Sequence, residues 1–79
     1  GLDRLEMDPT AIAQGEKVAI VDDLLATGGT ALAATELLRK AGAAVARAVF
    51  VIDLPDLGGS ARLAAQSVNV RSLMEFEGD

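Results

Sequence analysis

One stretch restricts the fold of this chain more than any other. An apolar run, Val18 to Val21, is closed by two acids, Asp22 and Asp23; after Leu24-Leu25-Ala26-Thr27 come the pair Gly28-Gly29, Thr30 and an alanine-rich segment. A short continuous apolar run marks a strand of a parallel sheet covered on both faces. From Ala31 the pattern turns helical, with Glu36, Arg39 and Lys40 three and four apart on one polar face. Gly42 suits the position just past a helix end, where φ is often positive. The spacing predicts a strand ending on the two carboxylates, a short loop, and a helix starting near Thr27 to Thr30.

A helix leaves its first N–H groups without intrahelical acceptors and carries a positive dipole end there, so acids usually occupy that turn. Here the turn reads Ala31, Leu32, Ala33 and Ala34. The donors are left for an external anion, and Gly28 and Gly29 let the backbone approach it with no Cβ in the way. Each charge-assisted hydrogen bond contributes about 1.5 to 3 kcal/mol, so three or four donors make a phosphate cradle. The net charge of −5 opposes a phosphate, but exposed charges are screened beyond about 8 Å at physiological salt. Asp22 and Asp23 fall where ligands bind in open α/β sheets, at the carboxyl ends of the strands. Next to a phosphate, carboxylates serve as acceptors for hydroxyls or as partners of a metal carried by the ligand. A phosphorylated sugar presents both features. The plain alternative is turn chemistry, with Thr27 or Thr30 as a helix cap. A dinucleotide fingerprint and a Walker loop match less well, because neither G-x-G-x-x-G nor Gly-Lys-Ser/Thr is present.

The run Val21-Asp22-Asp23-Leu24-Leu25-Ala26-Thr27-Gly28-Gly29-Thr30 resembles the phosphoribosyl-pyrophosphate (PRPP) motif of the type I phosphoribosyltransferases, in the form found in their adenine-using branch. The likeness extends through Arg4-Leu5-Glu6-Met7, Gly15-Glu16-Lys17-Val18, Asp56-Leu57-Gly58-Gly59 and Ser72-Leu73. It implies an α/β fold, part of a Rossmann-like parallel sheet containing one βαβ unit that bears the motif. It further implies that Ala26, Thr27, Gly28, Gly29 and Thr30 hold the 5-phosphate of PRPP or AMP, and that Asp22 and Asp23 bind the ribose hydroxyls. The two acids would stabilise positive charge developing on the ribose while adenine displaces pyrophosphate, with Mg2+ bound to the donor and no direct protein ligand to the metal. Leu54, just after the next strand, would pack on the purine, with core-covering leucine as the alternative. A homodimer is implied as well. The groups that hold most of the base and close the site would precede Gly1. The chain is therefore expected to be the carboxyl-terminal part of a single phosphoribosyltransferase domain, spanning residues 1–79 and inactive alone.

The rest of the chain supports this frame. Residues 1–7 read as an exposed charged stretch, Asp8-Pro9-Thr10 as a turn, and Gly15 as a conformational glycine before the strand. Residues 43–52 carry a second strand with Ala48 to Ile52 as its apolar part and Asp53 at its end, parallel to the first through a right-handed crossover. Residues 53–60 form a loop in which Pro55 and the neighbouring polar groups explain Gly58-Gly59 as a turn. Residues 60–66 make one or two helical turns, residues 68–76 alternate as a last strand, and residues 77–79 are a polar tail.

Composition narrows the function classes. Histidine and cysteine are both absent, which removes the commonest general base, thiolate metal sites and disulfides. No apolar run is long enough to cross a membrane and no signal peptide is visible, so the expected setting is cytoplasmic, without membrane or nucleic-acid partners. One crossover helix covers only one face of the sheet, so a partner or a longer chain is expected on the other. Two alternatives share the motif: a PRPP-binding regulatory domain without catalysis, and a phosphoribosyltransferase for another base.

Overall fold

The computed structural model describes residues 13–76. Strand β1 is Lys17–Leu25, helix α1 Gly29–Lys40, strand β2 Ala44–Asp53, helix α2 Gly59–Ala65 and strand β3 Asn69–Glu75, with a 3-10 turn at Pro55–Leu57. The readings for residues 1–12 and 77–79 lie outside the described residues.

The three strands form one sheet in the order β1-β2-β3, and both pairings are parallel. This follows from two successive strand-helix-strand units, the only short way to bring consecutive parallel strands side by side. Helix α1 lies on β1 and β2, α2 lies on β3, and the helices touch each other, so both cover the same face. The core between the layers is built from Ile20 and Leu25, Ala31 and Ala34, Val45, Ala48 and Phe50, and Leu63 and Val68. Helix α1 brings small residues there, letting it lie close to the strands. Its buried Thr35 satisfies its hydroxyl by donating to the Ala31 carbonyl at 2.8 Å.

Strand β1 runs further than the sequence suggests. It does not end on the carboxylates: Asp22 pairs with Phe50, Leu24 with Ile52 and Leu25 with Asp53, so the acids lie inside the strand and the loop is only Ala26 to Gly28. The ladder bonds continue because Leu25 is itself a core residue, 1% exposed, anchoring the end of the strand. The described residues cover one face of the strand, and the cover expected on the other from a partner or a longer chain lies outside them. Among the described residues the far face of the sheet is open, with Val21 74% and Leu73 76% exposed.

Strand β2 contains a bulge. Val18 pairs with Val45 but Ala19 pairs with Arg47, leaving Ala46 as an extra residue. The insertion changes which alternate positions face the helices: Val45 before it, Ala48 and Phe50 after it. The end of α1 is fixed as the sequence predicts. Gly42 has φ 99°, its N–H donates to Arg39 O, and the Ala43 N–H donates to Leu38 O. Arg39 then donates from Nη2 to the Val45 carbonyl at 2.7 Å, tying the helix end to the start of β2.

Candidate phosphate-binding site

The loop between β1 and α1 opens with the donors the sequence predicts. Gly28 precedes the helix in the left-handed region, φ 86° and ψ 1°, where only glycine sits without strain. The Leu32 N–H donates to the Gly28 carbonyl at 2.8 Å, so Gly29, Thr30 and Ala31 supply the first-turn amides with no intrahelical acceptor. No acid lies in that turn and no side chain caps it, which removes the reading of Thr27 or Thr30 as a cap.

Asp22 to Ala31, together with Phe50, line a cavity of about 270 Å3. Asp22, Asp23, Ala26, Thr27, Gly28, Gly29 and Thr30 are thus brought together at one opening. Successive strand residues point to opposite faces, which would separate two adjacent acids. Both nevertheless reach the cavity lining, and the Asp23 N–H donates to Asp22 Oδ1 at 2.8 Å. Leu54 is not among the lining residues. It is half-buried, and its N–H donates to the Leu25 carbonyl at 2.9 Å.

Gly29 and Gly28 differ in what holds them as glycine. A Cβ on Gly28 would lie 2.9 Å from Gly59 Cα, and φ is positive, so the fold itself requires glycine there. A Cβ on Gly29 would meet only Thr27 Oγ1, at 3.8 Å. Glycine costs a helix about 0.8 to 1 kcal/mol relative to alanine, and no packing here asks for it.

Three participants carry no chemical mark in the sequence. Phe50 floors the cavity because the strand register sets it opposite Asp22. Gly59 packs on the loop: its N–H donates to the Ala26 carbonyl at 3.0 Å, and a Cβ there would lie 2.5 Å from that oxygen. Arg62 donates from Nη1 to the Thr27 carbonyl at 2.7 Å and to the Leu57 carbonyl at 2.9 Å. Gly58 is the turn glycine that the sequence predicts, with φ 85°. Gly59 is more than that, since backbone must touch backbone where the two loops meet. Its juxtaposition with Thr-Gly-Gly could have raised the question, but sequence separation hides it.

Among the described residues, no three His, Cys, Asp or Glu side chains group in a way that could hold a metal ion. The cavity lining fits a magnesium ion carried on the ligand's own phosphates and water, which needs no dedicated protein cage. Asp53 is buried at the end of β2, 4% exposed, and its Oδ1 has no hydrogen-bond partner among the described residues.

A parallel α/β layer whose first crossover opens on a glycine loop beside two carboxylates places the chain among the α/β proteins that present a helix start at the carboxyl edge of the sheet. More narrowly, the chain belongs to the phosphoribosyl transferase family, whose domain model matches residues 3–70. It is 64% identical over 78 residues to the adenine phosphoribosyltransferase of Erythrobacter litoralis (strain HTCC2594), covering 99% of this chain and 44% of that protein. The structure superposes on adenine phosphoribosyltransferase from Thermoanaerobacter pseudethanolicus with TM-score 0.80 at 38% identity, covering 86% of this chain and 39% of that one. It also matches the Trypanosoma brucei adenine phosphoribosyl transferase in complex with AMP, pyrophosphate and ribose-5-phosphate, with TM-score 0.74 at 25% identity, over 82% of this chain and 30% of that one. The chain thus spans less than half the length of these relatives.

Proposed function

We propose that the whole protein transfers the 5-phosphoribosyl group from PRPP to adenine, giving AMP and pyrophosphate, and that this chain supplies its phosphate and ribose subsite. The observation that carries the reading is the acid-free, uncapped start of α1 behind Gly28 and Gly29, open to the cavity that Asp22 and Asp23 also line. In this reading the amides of the loop and first turn hold the 5-phosphate, oriented by the helix dipole. Asp22 and Asp23 accept the ribose hydroxyls and so fix the sugar beside the loop. As the bond to pyrophosphate stretches, positive charge grows on the ribose, and two fixed carboxylates lower its energy without taking a proton. Magnesium bound with the donor would supply positive charge to the pyrophosphate leaving group, with no direct ligand from this chain. Leu54 is assigned to the purine side of the site on resemblance, and a homodimer likewise.

Identity to adenine-using relatives is what favours adenine over other bases. Assay of the whole protein with PRPP, magnesium and a mixture of adenine, guanine, hypoxanthine and orotate tests the reading. AMP as the dominant product is expected. A nucleotide of another base would reassign the substrate, and PRPP binding without any nucleotide would mark a regulatory module.

A further inference from the structure

The β1–α1 loop does not hold its own shape. Two of its three residues present their carbonyls to α2 and the turn before it: Ala26 O accepts from the Gly59 N–H, and Thr27 O accepts from Arg62 Nη1. In a trans peptide the carbonyl and the next N–H point in opposite directions. Holding the Ala26 and Thr27 oxygens on the α2 side therefore turns the Thr27 and Gly28 N–H groups the other way. Glycine populates positive and negative φ about equally, so the Thr27–Gly28 peptide has no intrinsic barrier of side-chain origin against flipping. A flip would carry the Thr27 carbonyl, an acceptor, toward the space a phosphate would occupy. Arg62 opposes that flip. Its Nη1 also holds Leu57 O, and its guanidinium lies against Gly58, where a Cβ would come within 3.1 Å of Nη1. One nitrogen, Nη1, thus ties the Thr27 carbonyl to the Leu57 carbonyl of the turn before α2.

We propose that Arg62 is a positioning residue for phosphate binding: it keeps the Thr27–Gly28 peptide in its anion-accepting orientation, with the Gly59 amide doing the same for the preceding peptide. The inference rests on the phosphate-site reading above and deepens it. Arg62 acts through the loop and need not touch the ligand.

The test is calorimetric titration of the whole protein with AMP and with adenosine, for wild type, Arg62→Met and Gly59→Ala, together with the 31P resonance of bound AMP. Arg62 is exposed, so its variant tests the proposal even where Gly59→Ala does not fold. Loss of a hydrogen bond from a charged donor predicts about a tenfold drop in AMP affinity for Arg62→Met, at the low end of the range because the group is exposed. Adenosine affinity should hold, the 31P signal should move, and the difference should persist at about 1 M salt, where the screening length is about 3 Å. Gly59→Ala, which changes no charge, should show the same selectivity. Equal losses for AMP and adenosine would make Arg62 merely structural, and convergence of the variants at high salt would reduce it to a distant charge; either overturns the proposal. An Arg62→Met protein indistinguishable from a wild type that prefers AMP sinks this inference alone. A wild type without preference for AMP over adenosine removes the phosphate reading and the inference with it.

Discussion

Gly29 is the residue where folding and binding separate most cleanly. With an ordinary φ and no neighbour closer than 3.8 Å to an added Cβ, it is free to vary as far as the fold is concerned. Valine has the better helix propensity by a few tenths of a kcal/mol. Gly29→Val should leave the melting temperature unchanged or slightly raised while AMP binding falls sharply, as calorimetry on the folded variant would show; retained AMP affinity would remove the cradle assignment. Gly59→Ala should behave in the opposite sense, destabilising the fold, because its Cβ would meet the Ala26 carbonyl and the Leu25 side chain. Thermal melts of the two variants side by side distinguish a glycine kept for a ligand from one kept for a neighbour.

At the scale of elements, α1 trades stability for an open N-terminus. Thr30→Glu places a carboxylate in the first turn, which should stabilise the helix by about 0.3 to 1 kcal/mol and repel a phosphate from the same amides. A higher melting temperature accompanied by loss of AMP binding is the expected pair of results. Phe50, 1% exposed beneath the cavity, should cost about 3 to 5 kcal/mol on change to alanine, read by denaturant unfolding. These elements were unequally legible. The start of α1, its Gly42 stop, the short α2 and the alternation of β3 from Val68 to Phe76 follow from residue type and period, which are local. The true end of β1 did not, because Leu24 and Leu25 are apolar and only their pairing with Ile52 and Asp53 shows that the ladder continues. The bulge at Ala46 left no mark either: β2 is apolar in both phases from Ala48 to Ile52, so period alone cannot say which phase faces the helices. In the site, Asp22 to Thr30 were legible because chemistry and spacing coincide there. Arg62 and Gly59 were not, since their role is a contact between two loops.

For the molecule as a whole, the open face of the sheet matters most. Val21, Val51 and Leu73 are exposed on it, and isolated surface changes usually alter stability by no more than about 0.5 kcal/mol. In the whole protein, Val21→Thr and Leu73→Thr should each cost more than that, about 1 to 2 kcal/mol, if the face is covered there as its apolar character demands. Denaturant midpoints with unchanged slopes would measure it, and near-zero effects would show that the face stays wet. The bond from Arg62 to Thr27 also has a history in time. It joins residues 35 positions apart, and ribosomes add roughly 5 to 20 residues per second. The glycine loop is therefore synthesised roughly 2 to 7 s before the arginine that braces it. Through that interval β2 and α2 are still being made, and the nascent loop has neither the Gly59 amide nor the guanidinium to orient its peptides. Although the loop's own residues are made first, the site is finished only when α2 has been added.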